Sequence, residues 1–490
     1  MKTSIYIVTF VCLFTCAQSC QDFLREQAFS QISNDNFYKS QQDALAGVNS
    51  IYSILNDGAY FGGNGWYFGD VSADQANNGE VTGELDVMDY NPAINTFRGY
   101  WTILYRGINY ANNVITYVPG IQMDEDLRNR YVGEARFLRA MFYFDLVRGF
   151  GDVPLILEPT TDESNNILPR SGADEIYTTI EEDLVFATQS LPESYGSSDI
   201  GRATRGAARS MLAKVYLTRG DYANARTQAL AVMDSETYQL FEDYRDVFRV
   251  ENENGKEHIF SVQFMSGASS GLASSFTSAF ASRNPNLLFG GLRAGSAIAA
   301  EDDFYNGFPD HYRKSITLVD SFPSAYYPEI TAEGRCQAGP ACMKYWDPNL
   351  IAESQGDANW MVLRYADVIL MFAEAENEVN GPTQDAYDAI NSIRKRARDA
   401  NANGVDEADE RAQLPDLAGL SKEAFREAVW AERAMELCFE GHRRWDLLRT
   451  GRFVDVMVAS GKPAQDRHRL FPIPLLEIQA NTNLNQNPGY

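Results

Sequence analysis

His258, His311, His442 and His468 are the whole imidazole supply of this chain. None stands in an HExxH pattern or a close His/Cys cluster, so the sequence offers no ligand set for a transition metal. Residues 267–271 fit GxSxG, with Ser269 as the nucleophile, and follow a β-rich stretch ending at Phe264, the setting a nucleophile elbow needs. The Gly/Ser-rich surroundings produce the same pattern without any function. Carboxylates are numerous enough to supply a glycoside hydrolase pair, yet no pair is set apart from the solvated surface. Asp70, Asp74, Asp86 and Asp89 offer oxygens for calcium, but not at EF-hand spacing, and no cofactor is expected.

Aromatic residues give the richer signal. The stretches 58–99 and 264–359 are rich in Gly, Ser and Asn, yet they hold Tyr60, Trp66, Tyr67, Tyr90, Phe289, Tyr305, Tyr327 and Trp346, with Trp360 directly after. Flat rings stack on the CH-rich faces of sugars, and neighbouring amides and charges hydrogen-bond the hydroxyls. Most of these rings are expected to pack their own loops. Trp66, Tyr67, Asn91, Tyr305 and Trp346 are the candidates for ligand contact.

Helices must position those loops. Apolar residues at three- and four-residue steps predict helices over 38–55, 100–117, 126–150, 175–191, 205–219, 222–234, 365–380, 384–399 and 422–439. After Trp360, the residues Val362, Ala366, Ile369, Phe372 and Ala373 read as one helical stripe. A repeat grammar recurs twice: Ala213, Tyr216, Gly220, Tyr222 and Ala225, then Ala373, Gly381, Ala386 and Ala389. Both place a glycine turn between helices that cross on small residues, as in tetratricopeptide units. Residues 257–264 predict a strand, and the prolines Pro472 and Pro474 hold an extended C-terminal segment.

Lys2, the apolar run Ile5 to Phe14 and a small-residue exit describe a secretory signal over 1–19. Ala17-Gln18-Ser19-Cys20 reads as a loose lipobox, which makes Cys20 the lipidated first residue of the mature chain; Cys16 as a competing site and plain secretion are the alternatives. Removing residues 1–19 takes away Lys2 and no acid, moving the formal charge from −25 to −26. Such a chain is repelled by nucleic acid. Cys336 and Cys342 flank Gly339 and Pro340 in a loop short enough to close as a disulfide outside the cytoplasm, with two free thiols as the alternative. Cys438 reads as a helix-packing residue.

Several segments together resemble the SusD/RagB family of Bacteroidetes outer-membrane lipoproteins. They are Cys20 to Leu24, Trp101 to Asn113, Gly133 to Leu155, Arg205 to Leu217, Leu363 to Asp367 with Glu374, and Glu432-Arg433 with Glu440 to Leu447. The ending Pro472 to Pro474, Glu477 and Asn487 to Tyr490 is similar too. The resemblance implies a mainly α fold, a scaffold of four tetratricopeptide-like helix pairs with a large irregular ligand-binding region and a few short strands. It implies one body over 20–490, with an N-terminal part of about 20–235 and a C-terminal part of about 257–490.

It further implies a non-enzymatic surface protein that captures oligosaccharide and delivers it to a SusC-like TonB-dependent transporter. A RagB-like peptide-binding protein and a glycoside hydrolase are the alternatives. Asp22 and Glu26 fit the acidic signal that sends such lipoproteins outward, or a merely solvated tail. Glu134, Arg136, Arg139, Arg364, Asp367, Glu432 and Arg433 are expected to form buried ion pairs that fix helix crossings rather than touch ligand.

Overall fold

The computed structural model describes residues 37–63, 65–79, 83–160, 167–267, 271–283, 294–350, 352–403 and 407–490. The signal segment, Cys20, Asp22, Glu26, Ser269 and Phe289 lie outside those residues. The fold is mainly α. Helices α1 (Gln41–Ser53), α2 (Asn95–Tyr117), α3 (Glu125–Phe150), α4 (Ala173–Ser190), α5 (Arg205–Arg219) and α6 (Tyr222–Met233) each pack on the next. The chain then leaves for a loop-rich excursion and returns as α7 (Tyr365–Asn380), which packs on α6, followed by α8 (Gln384–Arg398) and α9 (Lys422–Glu436).

Local chemistry sets the ends of these helices. Asp124, Thr204, Asp221, Thr383 and Ser421 each accept a backbone N–H from the first turn that follows. Gly220 is left-handed, and Asp221 caps α6 directly after it, so the glycine turn in the first repeat is one tight helical hairpin. From Tyr131 onward α3 is buried on almost every face, because α2 and α4 cover it from two sides.

Paired ions lock the crossings. Arg139 grips Asp183 with two hydrogen bonds of 2.7 and 2.8 Å, joining α3 to α4. Glu134 accepts from Arg202 at 2.9 Å, and Asp367 is held between Lys214 and Arg433 at 2.9 and 2.8 Å. Deeper still, Arg364 donates to Glu257, Glu436 and Glu440, Arg396 to Glu257 and Glu436, and Arg313 to Glu432 and Glu436. These groups are all buried, where an unpaired charge is costly and a complete set fixes one geometry.

The stripe after Trp360 is corrected at its first member. Trp360–Arg364 is a strand, paired antiparallel with His258–Val262, and α7 begins only at Tyr365. Arg364 stays extended (φ −134°, ψ 160°), and its guanidinium meets the buried carboxylates.

Of the two states open for Cys336 and Cys342, a bridge or free thiols, the structure has the free thiols. Both lie on one extended run against 318–322: Arg335 pairs with Ser321 and Cys342 with Leu318. Residues 337–340 interrupt that run. Cys342 packs in the main core, whereas Cys336 packs in a smaller cluster and its thiol donates to the Val319 carbonyl. Cys438 is a buried packing residue. Among the described residues, no helix is long and apolar enough to cross a membrane.

Candidate functional site

The two aromatic-rich loops meet at Trp66 and Tyr67. Tyr67 opens a single π-helical turn, Tyr67–Val71, a local irregularity that recurs at functional positions. The Trp66 and Tyr67 rings stack at 4.1 Å and 27°, and Phe280 of the other loop meets Trp66 edge-on at 5.6 Å. Trp66 is buried, and Tyr67 stays half-buried with its hydroxyl hydrogen-bonded by Asn78. The loops are tied by the ladder of Ala76–Asn77 with Ala299–Ala300. Gly79 (φ +59°) lies so close to Ser296 that a Cβ would sit 1.7 Å from its carbonyl oxygen. The indole N–H of Trp66 and the Oδ1 of Asn78 are buried without a partner among the described residues, so the junction holds unused hydrogen-bonding capacity.

Motif residues clamp this junction from below. Gly69 packs backbone to backbone on Gly441, whose N–H donates to Asp70 at 2.9 Å. Arg443 holds Asp74 with two hydrogen bonds of 2.7 and 2.8 Å, and Lys462 reaches the Ala76 carbonyl, Asp86 and Glu301. The Glu440 to Asp446 motif therefore positions the aromatic loop. Three of the four acids considered for calcium are committed in this way, and Asp89 is exposed.

The other candidates have separate surroundings. Asn91 is exposed and accepts from the Ala93 N–H in the turn before α2. Tyr305 is half-buried, carries the Lys314 ammonium 4.4 Å above its ring, and is pushed up to about 12 by burial and by Asp320. Trp346 is 8% exposed inside the smaller cluster and donates its indole N–H to Glu329 at 2.9 Å. Tyr60, Phe68, Tyr90, Tyr327 and Trp360 pack the interior, as most loop rings were expected to do. Asn78 and Phe280 were missed, and Asp70 was read only as a calcium candidate. Phe280 was hidden in a Gly/Ser-rich stretch, and only the Asn77-Asn78-Gly79 turn signal pointed to Asn78.

Catalytic equipment is poorly placed. Burial pushes His258 down from its ordinary value, His311 and His442 down to about 3, and His468 down to about 4. Asp70 and Glu253 are both pushed up to about 8 by burial. Asp70 lies beneath Gly441, and Glu253 borders a cavity of about 10 Å³, room for one water at most. Past Gly271 the chain bridges to Gly356 at Ser274 before the five-residue helix Phe276–Phe280, so among the described residues no helix directly follows the GxSxG stretch.

Two family models match in tandem, one described as SusD family over residues 301–490 and one as starch-binding associating with outer membrane over 22–217. The chain belongs to the SusD/RagB family. A SusD-like protein of Formosa agariphila is 29% identical over the full length of both chains. A solved laminarin-binding SusD-like protein is 28% identical, with a TM-score of 0.77 over 92% of this chain and 100% of that one. A SusD homologue from Bacteroides thetaiotaomicron has a TM-score of 0.79 at 24% identity, covering 93% and 98%, a likeness of fold.

Proposed function

We propose that this SusD-family chain binds glycan at the cell surface, anchored to the outer membrane through a lipidated Cys20 and facing outward. It passes oligosaccharide to a SusC-like TonB-dependent transporter and carries out no chemistry on it. One observation carries the reading: a half-buried tyrosine, backed by a buried tryptophan and tied to an asparagine, stands where two aromatic loops join on a rigid helical scaffold. Tyr67 supplies a flat ring for a sugar face, and Asn78, beside its hydroxyl, and Asn77, at the end of the adjoining ladder, bond hydroxyls. The laminarin-binding relative and the starch-binding description of the N-terminal family model support carbohydrate as the ligand class. Histidines held neutral and shifted acids without substrate space support a binding role without turnover.

Titration calorimetry with laminarin and starch oligosaccharides, paired with assays of reducing-sugar release, tests the reading. Saturable binding without product is expected. Turnover that disappears with one carboxylate substitution, or an absence of binding to any glycan, would overturn it.

A further inference from the structure

A second cavity, of about 440 Å³, opens on the helical side of the molecule between α2 and the short C-terminal helix Leu475–Ala480. Its walls include Trp101 and Tyr105, with rings 5.0 Å apart, together with Ile108, Ile156 and Leu484. Almost every polar group in the wall is already used. The Tyr105 hydroxyl donates to the Pro154 carbonyl at 2.8 Å, Asn109 accepts from the Thr160 N–H, and Asn481 donates to the Leu168 carbonyl while accepting from Asn483.

Glu477 is the exception. It is half-buried in the cavity wall, and among the described residues its carboxylate has neither a hydrogen bond nor an ion pair; Arg98 acts on it only through space. A carboxylate beside two aromatic rings is the environment that selects a cation. Charge-assisted hydrogen bonding and ring quadrupoles act there in the same direction.

The rim indicates what carries the cation. Ile167, in the cavity wall, is 47% exposed, and Leu157, Leu168, Leu475 and Leu476, one or two residues from the wall residues Ile156, Ile167 and Glu477, are exposed by 39, 37, 40 and 46%. Exposed apolar side chains flanking a cavity suit a protein-binding surface rather than a metabolite site. The formal charge of −25 also favours a basic partner over a second copy of this chain.

We propose that this cavity takes a lysine or arginine side chain of a partner polypeptide, with Glu477 as its counter-ion and the leucine rim covering the residues on either side. The inference rests on this surface alone and does not depend on the glycan site.

Titrating the full chain with an acetylated, amidated Ala-Leu-Lys-Leu-Ala peptide, its Gln counterpart and n-butylamine provides the test. The Lys peptide should bind, and E477Q should weaken it by roughly tenfold or more, the value of a charge-assisted hydrogen bond. Leu476→Ser should weaken it by about threefold, as expected for losing part of an apolar contact. E477Q should melt no lower than the parent, since burial already disfavours this charge. The proposal is overturned if the Lys and Gln peptides bind alike, or if neither binds at millimolar concentration. It is also overturned if E477Q or Leu476→Ser binds as the parent does, or if n-butylamine matches the peptide, which would make the site one for free amines.

Discussion

Gly69 and Gly441 touch main chain to main chain: a Cβ on Gly69 would lie 2.3 Å from the Gly441 carbonyl oxygen and 2.4 Å from its Cα. The contact joins the π-helical turn beneath Tyr67 to the family's Glu-Gly-His-Arg-Arg motif, and nothing flexible stands between the two backbones. Gly69→Ala must therefore move one strand of the junction. The expected cost is about 1–3 kcal/mol, typical of overpacking, read as a lower Tm together with weaker glycan binding. An alanine at the exposed Gly58, where a Cβ meets nothing within 4 Å, is the control and should leave both unchanged.

Asp70 gives the same junction a pH signature. Its carboxyl is pushed up to about 8, by burial first and by Glu440 further, so in the fold it holds its proton at neutral pH; the unfolded chain ionises near 3.8. Between those values the unfolded state binds fewer protons, and this group's contribution to stability falls as pH rises, levelling above about 8. Asp70→Asn keeps an acceptor for the Gly441 N–H and removes that loss. Denaturation curves should show the variant equal to the parent near pH 4 and more stable near pH 8.5, by on the order of 1–3 kcal/mol. A constant difference across the range would refute the assignment. Glu253, also raised to about 8, slopes the same way in both proteins and cancels in the comparison.

Arg364 tests the buried network. It holds Glu257, Glu436 and Glu440 at 2.6–2.9 Å, and none of the four side chains reaches solvent. Arg364→Ala takes one cation from three buried carboxylates, leaving Glu257 and Glu436 to Arg396 and Glu440 to Lys344, and an expected loss of about 3–5 kcal/mol follows. Arg205→Ala breaks the exposed pair with Glu193 and should cost at most about 1 kcal/mol. Similar losses in urea denaturation would show the network to be energetically idle.

The scaffold was legible because its signals are local. Gly220 followed by Asp221, and Gly381 followed by Thr383, end one helix and cap the next within a few residues, so spacing alone locates the hairpins. The ion-pair role of Glu134, Arg139, Asp367 and Arg433 was legible for a related reason: charges amid apolar helix positions must find partners. The site was less so. Trp66 and Phe280 come together across more than two hundred residues through ladders of two residues each, too short to leave a pattern. Val362 was misassigned because the apolar period of a buried strand merges with the helix that follows it. The pairing state of Cys336 was beyond sequence reasoning, because the residues at 337–340 place it in a different cluster from Cys342.

Trp66 and Tyr67, adjacent and stacked, should separate cleanly under substitution. Trp66 is 4% exposed and wedged against Phe280, so Trp66→Ala leaves a cavity and should cost about 3–5 kcal/mol of stability. Tyr67 is only half-buried, and its ring lies over Trp66 rather than within the core. Tyr67→Ala should lower Tm little yet weaken oligosaccharide binding by on the order of thirtyfold, about 2 kcal/mol of lost ring contact. Tyr67→Phe keeps the ring and loses only the hydrogen bond to Asn78, so it should retain most of the affinity. Calorimetry on the three variants distinguishes a stacking platform from a merely structural ring. If Tyr67→Ala binds as tightly as the parent while Trp66→Ala fails only by unfolding, the sugar sits elsewhere.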